Sequence, residues 1–469
     1  MAQLAEDAFF LSVAELSRKL KSREISPIEL ADGFLDRLER IGPKLGAVVT
    51  VTRERALAEA KAAEREIAAG KWRGPLHGVP YGVKDLLATV GTPTTWGAEP
   101  YRNQVFDEDA TVVKRLREAG AVLIGKLAMV ELAGGMGYNN ADASFTGPGR
   151  TPWNTEFWSG GSSSGPGAAT AAGLVAFSIG SETSGSIVTP AAFSGVSGFR
   201  PTYGRVSRHG AMALCWTLDK LGPMCRTAED CGLVMAAIAG KDPLDATSLP
   251  RPFRPAPASA RPRRFKIGVI KGTYDKAQPE VRKNFEDALK ILGGFSDVVP
   301  DVEFPDFPYG PAVGTIVAAE GASAFRDLIE SGRVKELRVP NDRWGGYAAS
   351  MVLAVDYIQA LRVRAPMKKA LDALYAKFDA LVSPTRATVS YPIGPDFDKV
   401  YPGVGGGPAV IPAGNLVGQP ALSVPNGFGE KGLPTAFQFT GRAFGDETLV
   451  ALGTAYQART EWHRKRPPL

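Results

Sequence analysis

The chain has 469 residues, 44% of them hydrophobic and 22% charged, with a formal net charge of +6. This composition is typical of a globular protein, and the length suggests two to four domain-sized units. No apolar run approaches the ~20 residues that span a bilayer, so no membrane-spanning segment is expected. The three cysteines are an odd number without a CxxC motif, which indicates neither a disulfide framework nor a zinc site.

The basic residues are partly concentrated in residues 251–266 and 459–466. Neither segment has the aromatic interleaving of a nucleic-acid site, so we interpret both as solvated surface. Glu6 and Asp7 precede a short apolar run, which is not the pattern of a signal peptide. We therefore expect a cytoplasmic protein with no metal, no cofactor, and no nucleic-acid or membrane partner.

The predicted elements begin with a helical arm, residues 1–70. Ser12 and Ser26 each stand three residues before a glutamate, which is typical of a capped helix start. Residues 71–248 then alternate strand-like and helix-like segments, which favours an α/β sheet covered by helices. The proline- and arginine-rich range 249–264 is predicted to be a linker. Residues 265–469 are expected to complete the same fold and its substrate pocket.

Within that core, residues 160–195 contain two Gly/Ser turns separated by the apolar run 168–179. Glycine permits backbone conformations closed to other residues, and successive N–H groups in such turns can converge on an anion. The apolar run would bury itself and hold the two turns as walls of one pocket. We interpret this stretch as an acyl-transfer site with Ser186 as the nucleophile.

Three alternatives compete with that interpretation. Gly/Ser runs are commonly flexible linkers, but a linker would not enclose a buried apolar run. A phosphate-binding loop would need a Gly-Lys-Ser/Thr ending, which is absent. A nucleophile elbow centred on Ser163 would need a histidine, and the chain has only His77, His209 and His463. The sequence excludes none of these histidines, although chemistry built on a lysine explains more.

Lys84 is that lysine, and it follows the apolar strand predicted over Val79–Val83. A lysine in this position is ordinarily ion-paired, here with Asp85, or extends to solvent. If it is buried instead, its pKa falls and it can act as a base near neutral pH. The residues alone leave its distance from Ser186 open.

Seven longer segments resemble the amidase signature family, in the family's order and across nearly the whole chain: GPLHGVPYGVKD, TPWN, GGSSSG, GSETSGSI, GFRPTYGRVSR, LDKLGPMCRT and NLVGQPALSVP. The resemblance implies a single compact α/β domain with a large mixed, mostly parallel central sheet. It implies amide hydrolysis by a Ser–cis-Ser–Lys triad, with Lys84 as base, Ser162 as relay and Ser186 as nucleophile. The peptide bond before Ser162 is then expected to be cis.

The resemblance also assigns the oxyanion hole to the backbone N–H groups of Thr183, Ser184, Gly185 and Ser186. Ser184 stands where the family commonly has glycine, so the backbone there has to tolerate a side chain. Val188 stands where the family commonly has an arginine, which pairs near the acidic residue matched by Glu182. Both departures concern the surroundings of the nucleophile and leave the serines and the lysine intact.

We expect the loop 129–138 to contact the substrate through Gly134, Gly135, Met136 and Tyr138. Apolar residues of that loop and of the helical range 311–365 are expected to line an apolar pocket: Met129, Trp344, Tyr347 and Met351. Such a pocket would suit aryl or alkyl amides, anilides and carbamates, hydrolysed by a freestanding enzyme for which a homodimer is the candidate assembly.

The alternative function is that of the glutamine-hydrolysing component of a tRNA-dependent amidotransferase, its A subunit. Residues 131–137 depart from the pattern of those proteins, which disfavours this alternative. A catalytically inactive binding module is disfavoured too, because all three triad residues are present.

Overall fold

The computed structural model describes residues 4–254 and 264–469. Most of the predicted linker 249–264 therefore lies outside the described residues. The N-terminal arm consists of α1 (Val13–Lys21), α2 (Pro27–Ile41), β1 (Val48–Val51) and α3 (Arg53–Ala68). Ser12 caps α1 in a reciprocal capping box with Glu15, and Ser26 caps α2 by accepting the N–H of Glu29 at 3.0 Å.

The next segment supplies the centre of the sheet, and its strands β2 to β6 are fully buried. The elements are β2 (Pro80–Lys84), α4 (Thr111–Glu118), β3 (Val122–Leu127), α5 (Ser164–Ala171), β4 (Phe177–Glu182), α6 (Val188–Ser194), β5 (Ser197–Arg200), β6 (Lys220–Cys225) and α7 (Ala228–Ile238).

The remaining residues form the other half of the sheet together with a group of helices between β8 and β9. The elements are β7 (Phe265–Ile270), α8 (Pro279–Gly293), β8 (Ser296–Val302), α9 (Tyr309–Ala324), α10 (Arg326–Glu330), α11 (Asp342–Ala349), α12 (Ala354–Tyr375), β9 (Ala380–Pro384), α13 (Val410–Leu416), β10 (Ala421–Phe428), β11 (Pro434–Thr440) and α14 (Asp446–Gln457).

All eleven strands of the described residues belong to one sheet, in the order β1-β3-β2-β4-β6-β5-β10-β11-β9-β7-β8. The two halves meet where β10 pairs with β5. Helices α2 and α3 pack beside β3, while α7 and α14 pack together near the junction of the halves. The predicted large mixed sheet with helices is confirmed. No helix of the described residues is both long and apolar enough to cross a membrane.

The expected predominance of parallel pairing is not observed in the described strands. Parallel pairs join β2 to β3 and β4, and β7 to β8 and β9, whereas the other six pairs are antiparallel. Connection length explains part of this difference, since a parallel neighbour needs a crossover of a dozen or more residues. The short turn between Phe428 and Pro434 allows only an antiparallel neighbour.

The parallel pair β2 and β4 places the site. Val83 lies opposite Ile179 in this pair, so both strands point the same way and end at the same edge of the sheet. Lys84 is the last residue of β2 and Glu182 the last of β4. Ligands in α/β sheets commonly bind outside the carboxyl ends of such strands.

Candidate active site

Lys84 is a buried amine that contacts hydroxyl groups. Its side chain has no exposed surface, and Nζ lies 2.7 Å from Ser162 Oγ and 2.9 Å from Ser181 Oγ. Burial lowers the pKa of Lys84 to about 7, although the carboxylates of Asp219 and Glu182 act in the opposite direction. A substantial fraction of the amine is therefore neutral at physiological pH and able to accept a proton.

Asp85, the neighbour in sequence, is not the partner of Lys84. Its Oδ1 lies 2.9 Å from Nζ of Lys126 on β3, and its Oδ2 accepts the backbone N–H of Thr95 at 3.0 Å. No carboxylate of the described residues forms an ion pair with Lys84 within 4.0 Å. The structure therefore does not support an ion pair between Lys84 and Asp85.

Ser162 lies in the first Gly/Ser turn, just before α5, and the Gly161–Ser162 peptide bond is cis, as the resemblance implies. The first turn touches the second, since Ser163 N–H donates to the carbonyl of Ser186 at 3.3 Å. Gly160 has φ +87°, and a Cβ there would stand 2.7 Å from Cα of Pro190 on α6. Only glycine allows the first turn to approach α6 so closely.

The nucleophile-elbow alternative does not fit these contacts. The hydroxyl of Ser163 donates to the carbonyl of Ser181 at 3.2 Å. No histidine side chain in the described part of the chain hydrogen-bonds to it: His77 packs on Trp72, and His209 pairs with Glu108.

The second turn carries Ser186, whose side chain is almost fully buried. The backbone N–H groups of residues 183–186 donate to no acceptor in the described residues. Gly185 has φ +94°, a conformation that strongly favours glycine. The turn therefore holds consecutive free donors beside the Ser186 hydroxyl. Ser184 is exposed, so its side chain is accommodated without crowding.

Glu182 shapes this turn. Its Oε2 accepts the N–H groups of Ile187 at 2.8 Å and Val188 at 3.0 Å. Its Oε1 accepts from Arg200 of β5 and from Asn415 of α13, both at 2.8 Å. Burial by itself would raise the pKa of Glu182, but Arg200 and the other donors hold it at about 2. Arg200 thus supplies the counter-charge for Glu182.

Asp219 holds the other end of the same turn. Its Oδ1 accepts the Thr183 hydroxyl at 2.6 Å, and its Oδ2 accepts the N–H groups of Leu214 and Cys215. Sequence reasoning assigned no role to Arg200, Asn415 or Asp219. The usable signal is that a buried acidic residue in a turn needs charged or hydrogen-bonding partners, but the sequence does not identify which residues supply them.

The predicted substrate loop is packed tightly. Gly134 has φ +89°, and a Cβ there would lie 2.6 Å from the Tyr138 ring. Met136 is buried beneath Gly345 and Gly346 of α11. Within the loop, Ala133 is the residue that lines a cavity of about 280 Å³, together with Ser181 and Thr183.

The apolar side chains expected from the range 311–365 face solvent instead. Trp344, Tyr347 and Met351 are 72%, 42% and 78% exposed. A second cavity, of about 340 Å³, lies between the end of β9 and α13, and Ile411 is one of its walls.

The chain matches known proteins over nearly its whole length. A family model described as Amidase matches residues 29–450. The A subunit of the Glutamyl-tRNA(Gln) amidotransferase from Moorella thermoacetica is 38% identical over an alignment 492 positions long, gaps included, which covers 99% of each chain.

Two solved structures extend the comparison. The native peptide amidase of Stenotrophomonas maltophilia is 30% identical with a TM-score of 0.84, and 98% of each chain is covered. A bacterial aryl acylamidase of the amidase signature family is 26% identical with a TM-score of 0.86, covering 98% of this chain and 100% of the other. The match over most of the chain and the 38% identity identify this chain as a member of the amidase family.

Proposed function

We propose that this chain hydrolyses carboxamides through an acyl-enzyme on Ser186, with Lys84 as the base and Ser162 as the proton relay. One observation carries the proposal: the Nζ of Lys84 is buried without a counter-ion among the described residues, has its pKa lowered to about 7, and lies 2.7 Å from Ser162 Oγ. An amine in this state can take up a proton at neutral pH, as a general base has to do.

In the first half-reaction, neutral Lys84 takes the proton of Ser162, while Ser162 takes that of Ser186. Ser186 Oγ then forms a bond to the amide carbonyl carbon, and the carbonyl oxygen becomes an oxyanion. The free N–H groups of residues 183–186 stabilise that charge. One such donor typically lowers the barrier by about 2.7–4 kcal/mol.

The C–N bond then breaks, and the leaving nitrogen takes a proton from Ser162, which Lys84 restores. Water attacks the resulting ester while its proton passes along the same relay to Lys84. Cleavage of the ester returns a proton to Ser186 and releases the carboxylic acid. The cycle uses only groups present in this chain.

For the substrate, we propose aryl or alkyl amides, anilides or carbamates, hydrolysed by the chain alone. The support is the likeness to a peptide amidase and an aryl acylamidase, at 30% and 26% identity. The expected contacts from Gly134, Gly135, Met136 and Tyr138 belong to this proposal.

A second candidate is the glutamine-hydrolysing component of an amidotransferase, which works together with partner proteins. The 38% identity to such a protein over 99% of both chains favours this candidate over the freestanding hydrolase. The divergent segment 131–137 is the feature that favours the freestanding enzyme.

A fluorophosphonate probe and a substrate panel test both candidates. Mass spectrometry is expected to find the label on Ser186 and none on Ser186→Ala. Turnover of nitroanilides by the purified chain would support the freestanding hydrolase. Turnover of glutamine that appears only with partner proteins and charged tRNA would support the second candidate. Absence of labelling at Ser186 would contradict both.

A further inference from the structure

The 340 Å³ cavity approaches the nucleophile turn through one of its lining residues, Ile411. A Cβ on Gly185 would stand 3.2 Å from Cγ2 of Ile411, which lines the cavity. The carbonyl of Tyr391, another lining residue, accepts the N–H of Trp158 at 2.9 Å, four residues before Ser162. The cavity is therefore lined by residues that contact the nucleophile turn and the segment that precedes Ser162.

Arg386 is the single charged side chain among the residues that line this cavity. It is half-buried and hydrogen-bonds to Tyr391 Oη at 3.3 Å. It forms no ion pair within 4.0 Å with any carboxylate of residues 4–254 or 264–469. A guanidinium stays charged at any pH a protein tolerates and matches the geometry of a carboxylate.

Other polar groups in the cavity also lack partners. Thr388 Oγ1 and Gln438 Oε1 are buried and hydrogen-bond to nothing in the described chain, and both residues line the cavity. Buried polar groups in proteins are nearly always satisfied, so this set indicates a polar ligand. The cavity differs in this respect from the apolar pocket that the sequence predicts.

We propose that Arg386 makes this enzyme specific for amides that carry a carboxylate apart from the scissile bond. This inference rests on the proposed function, because it assigns a substrate class to the Ser186 site. The cavity lining contains no aspartate or glutamate, so an ammonium group beside that carboxylate would find no counter-charge. The favoured substrate is therefore a monoanionic amide rather than a zwitterion such as free glutamine.

Three five-carbon amides separate these possibilities, because they share the same carboxamide and differ in one charged group at a time. Valeramide is neutral, glutaramate adds a carboxylate, and L-glutamine adds a carboxylate and an ammonium. Succinamate and adipamate vary the distance between the carboxylate and the amide. 4-Acetamidobenzoate and acetanilide repeat the comparison with the carboxylate on the leaving group.

With the purified full-length chain, at least one acid amide is expected to exceed its neutral partner in kcat/KM by about 10- to 100-fold, as for a charge-assisted hydrogen bond. Glutamine is expected to fall below glutaramate. Arg386→Gln is expected to bring the acid-to-neutral ratio close to one, mainly by raising KM for the acid. Compared with Arg386→Gln, the variant Arg386→Lys should restore part of the acid-to-neutral ratio. Arg326 is an exposed arginine on α10. The variant Arg326→Gln serves as the matched control and should keep the acid-to-neutral ratio of the unsubstituted chain.

Binding to Ser186→Ala, measured by calorimetry, separates this inference from the proposed function. Tighter binding of the acid amide than of its neutral partner, lost on adding Arg386→Gln, would support the anion site even if Ser186 proved not to be the nucleophile. Equal binding of acid and neutral partners would overturn the inference while leaving the chemistry at Ser186 untouched. A ratio unchanged by Arg386→Gln, or a preference for glutamine, would overturn it as well.

Discussion

Two lysines near the ends of neighbouring strands have opposite surroundings. Lys84 on β2 and Lys126 on β3 are both fully buried, with side-chain exposures of 0%. Lys126 faces the carboxylate of Asp85 at 2.9 Å and the Thr94 hydroxyl at 2.6 Å, whereas the hydrogen-bond partners of Lys84 in the described part of the chain are the hydroxyls of two serines. Burial lowers the pKa of both amines. The absence of a counter-ion distinguishes the proposed base from the structural ion pair.

The largest expected effect comes from Lys84→Met, which removes the proposed base. We expect kcat/KM to fall by about 10⁴- to 10⁶-fold, as for a residue of a catalytic triad. The pKa of Lys84 lies below its ordinary value of 10.5, so the unfolded chain holds a proton at neutral pH that the folded chain partly releases. Folding is penalised by that release, and the variant should therefore melt at a higher temperature at pH 7. Retained activity would refute the role of Lys84.

The matched change on the other strand, Lys126→Met, should act on stability. It leaves the buried carboxylate of Asp85 without its cation, which is expected to cost about 3–5 kcal/mol in the free energy of unfolding. Urea denaturation measures this loss, and the double variant with Asp85→Asn should regain part of it. If the two lysine variants changed stability in the same direction, the contrast between the two sites would be wrong.

Glu182→Gln tests the turn that faces Lys84. A glutamine presents an N–H₂ group to Arg200 or to the N–H groups of Ile187 and Val188, so at least one contact becomes unfavourable. We expect kcat to fall about 100-fold, near the lower limit for loss of one oxyanion donor, while KM changes little. An unchanged kcat would show that the turn keeps its shape without the carboxylate.

The pH dependence of kcat/KM should follow the unpaired lysine. Below a pKa of about 7, protonated Lys84 cannot accept a proton, so activity should fall about tenfold per pH unit. Activity should rise with pH and level off above about pH 8. An inflection near 10.5, the ordinary pKa of lysine, would contradict the lowered pKa of Lys84.

The smallest expected effect concerns a buried pair of like charge, Glu131 and Asp342. Both are about 1% exposed, and burial together with the Glu131 carboxylate raises the pKa of Asp342 well above its usual range. The folded chain therefore keeps a proton that the unfolded chain loses, so stability declines as pH rises above about 4. Asp342→Asn should raise the free energy of unfolding by about 1 kcal/mol at pH 8, with a smaller gain at pH 5. An equal gain at both values would contradict the raised pKa.

The sequence predicts the local elements well because they depend on neighbouring residues. The helix caps at Ser12 and Ser26 are confirmed, as are the strand that ends at Lys84 and the cis bond before Ser162. Catalytic roles for Lys84, Ser162 and Ser186 stay predictions, although the described contacts are compatible with them.

Contacts between distant parts of the chain are what the sequence does not predict. Glu182 and Asn415 are 233 residues apart, and nothing in either local pattern indicates that they meet. The prediction that Trp344, Tyr347 and Met351 line the pocket is wrong for a similar reason. These residues have helical spacing, but spacing alone does not tell which part of the chain, if any, covers them. Arg386 and its cavity depend on the packing of β9 against α13, which only the tertiary structure gives.

The bond between Glu182 and Asn415 also has a consequence for biosynthesis. The nucleophile turn obtains one of its anchors from a residue 233 positions further along the chain, so that residue has to be synthesised before the turn is fully supported. A nascent chain that already contains the lysine and both serines still lacks this anchor. The final shape of the turn therefore depends on a segment that is synthesised long after the lysine and the serines.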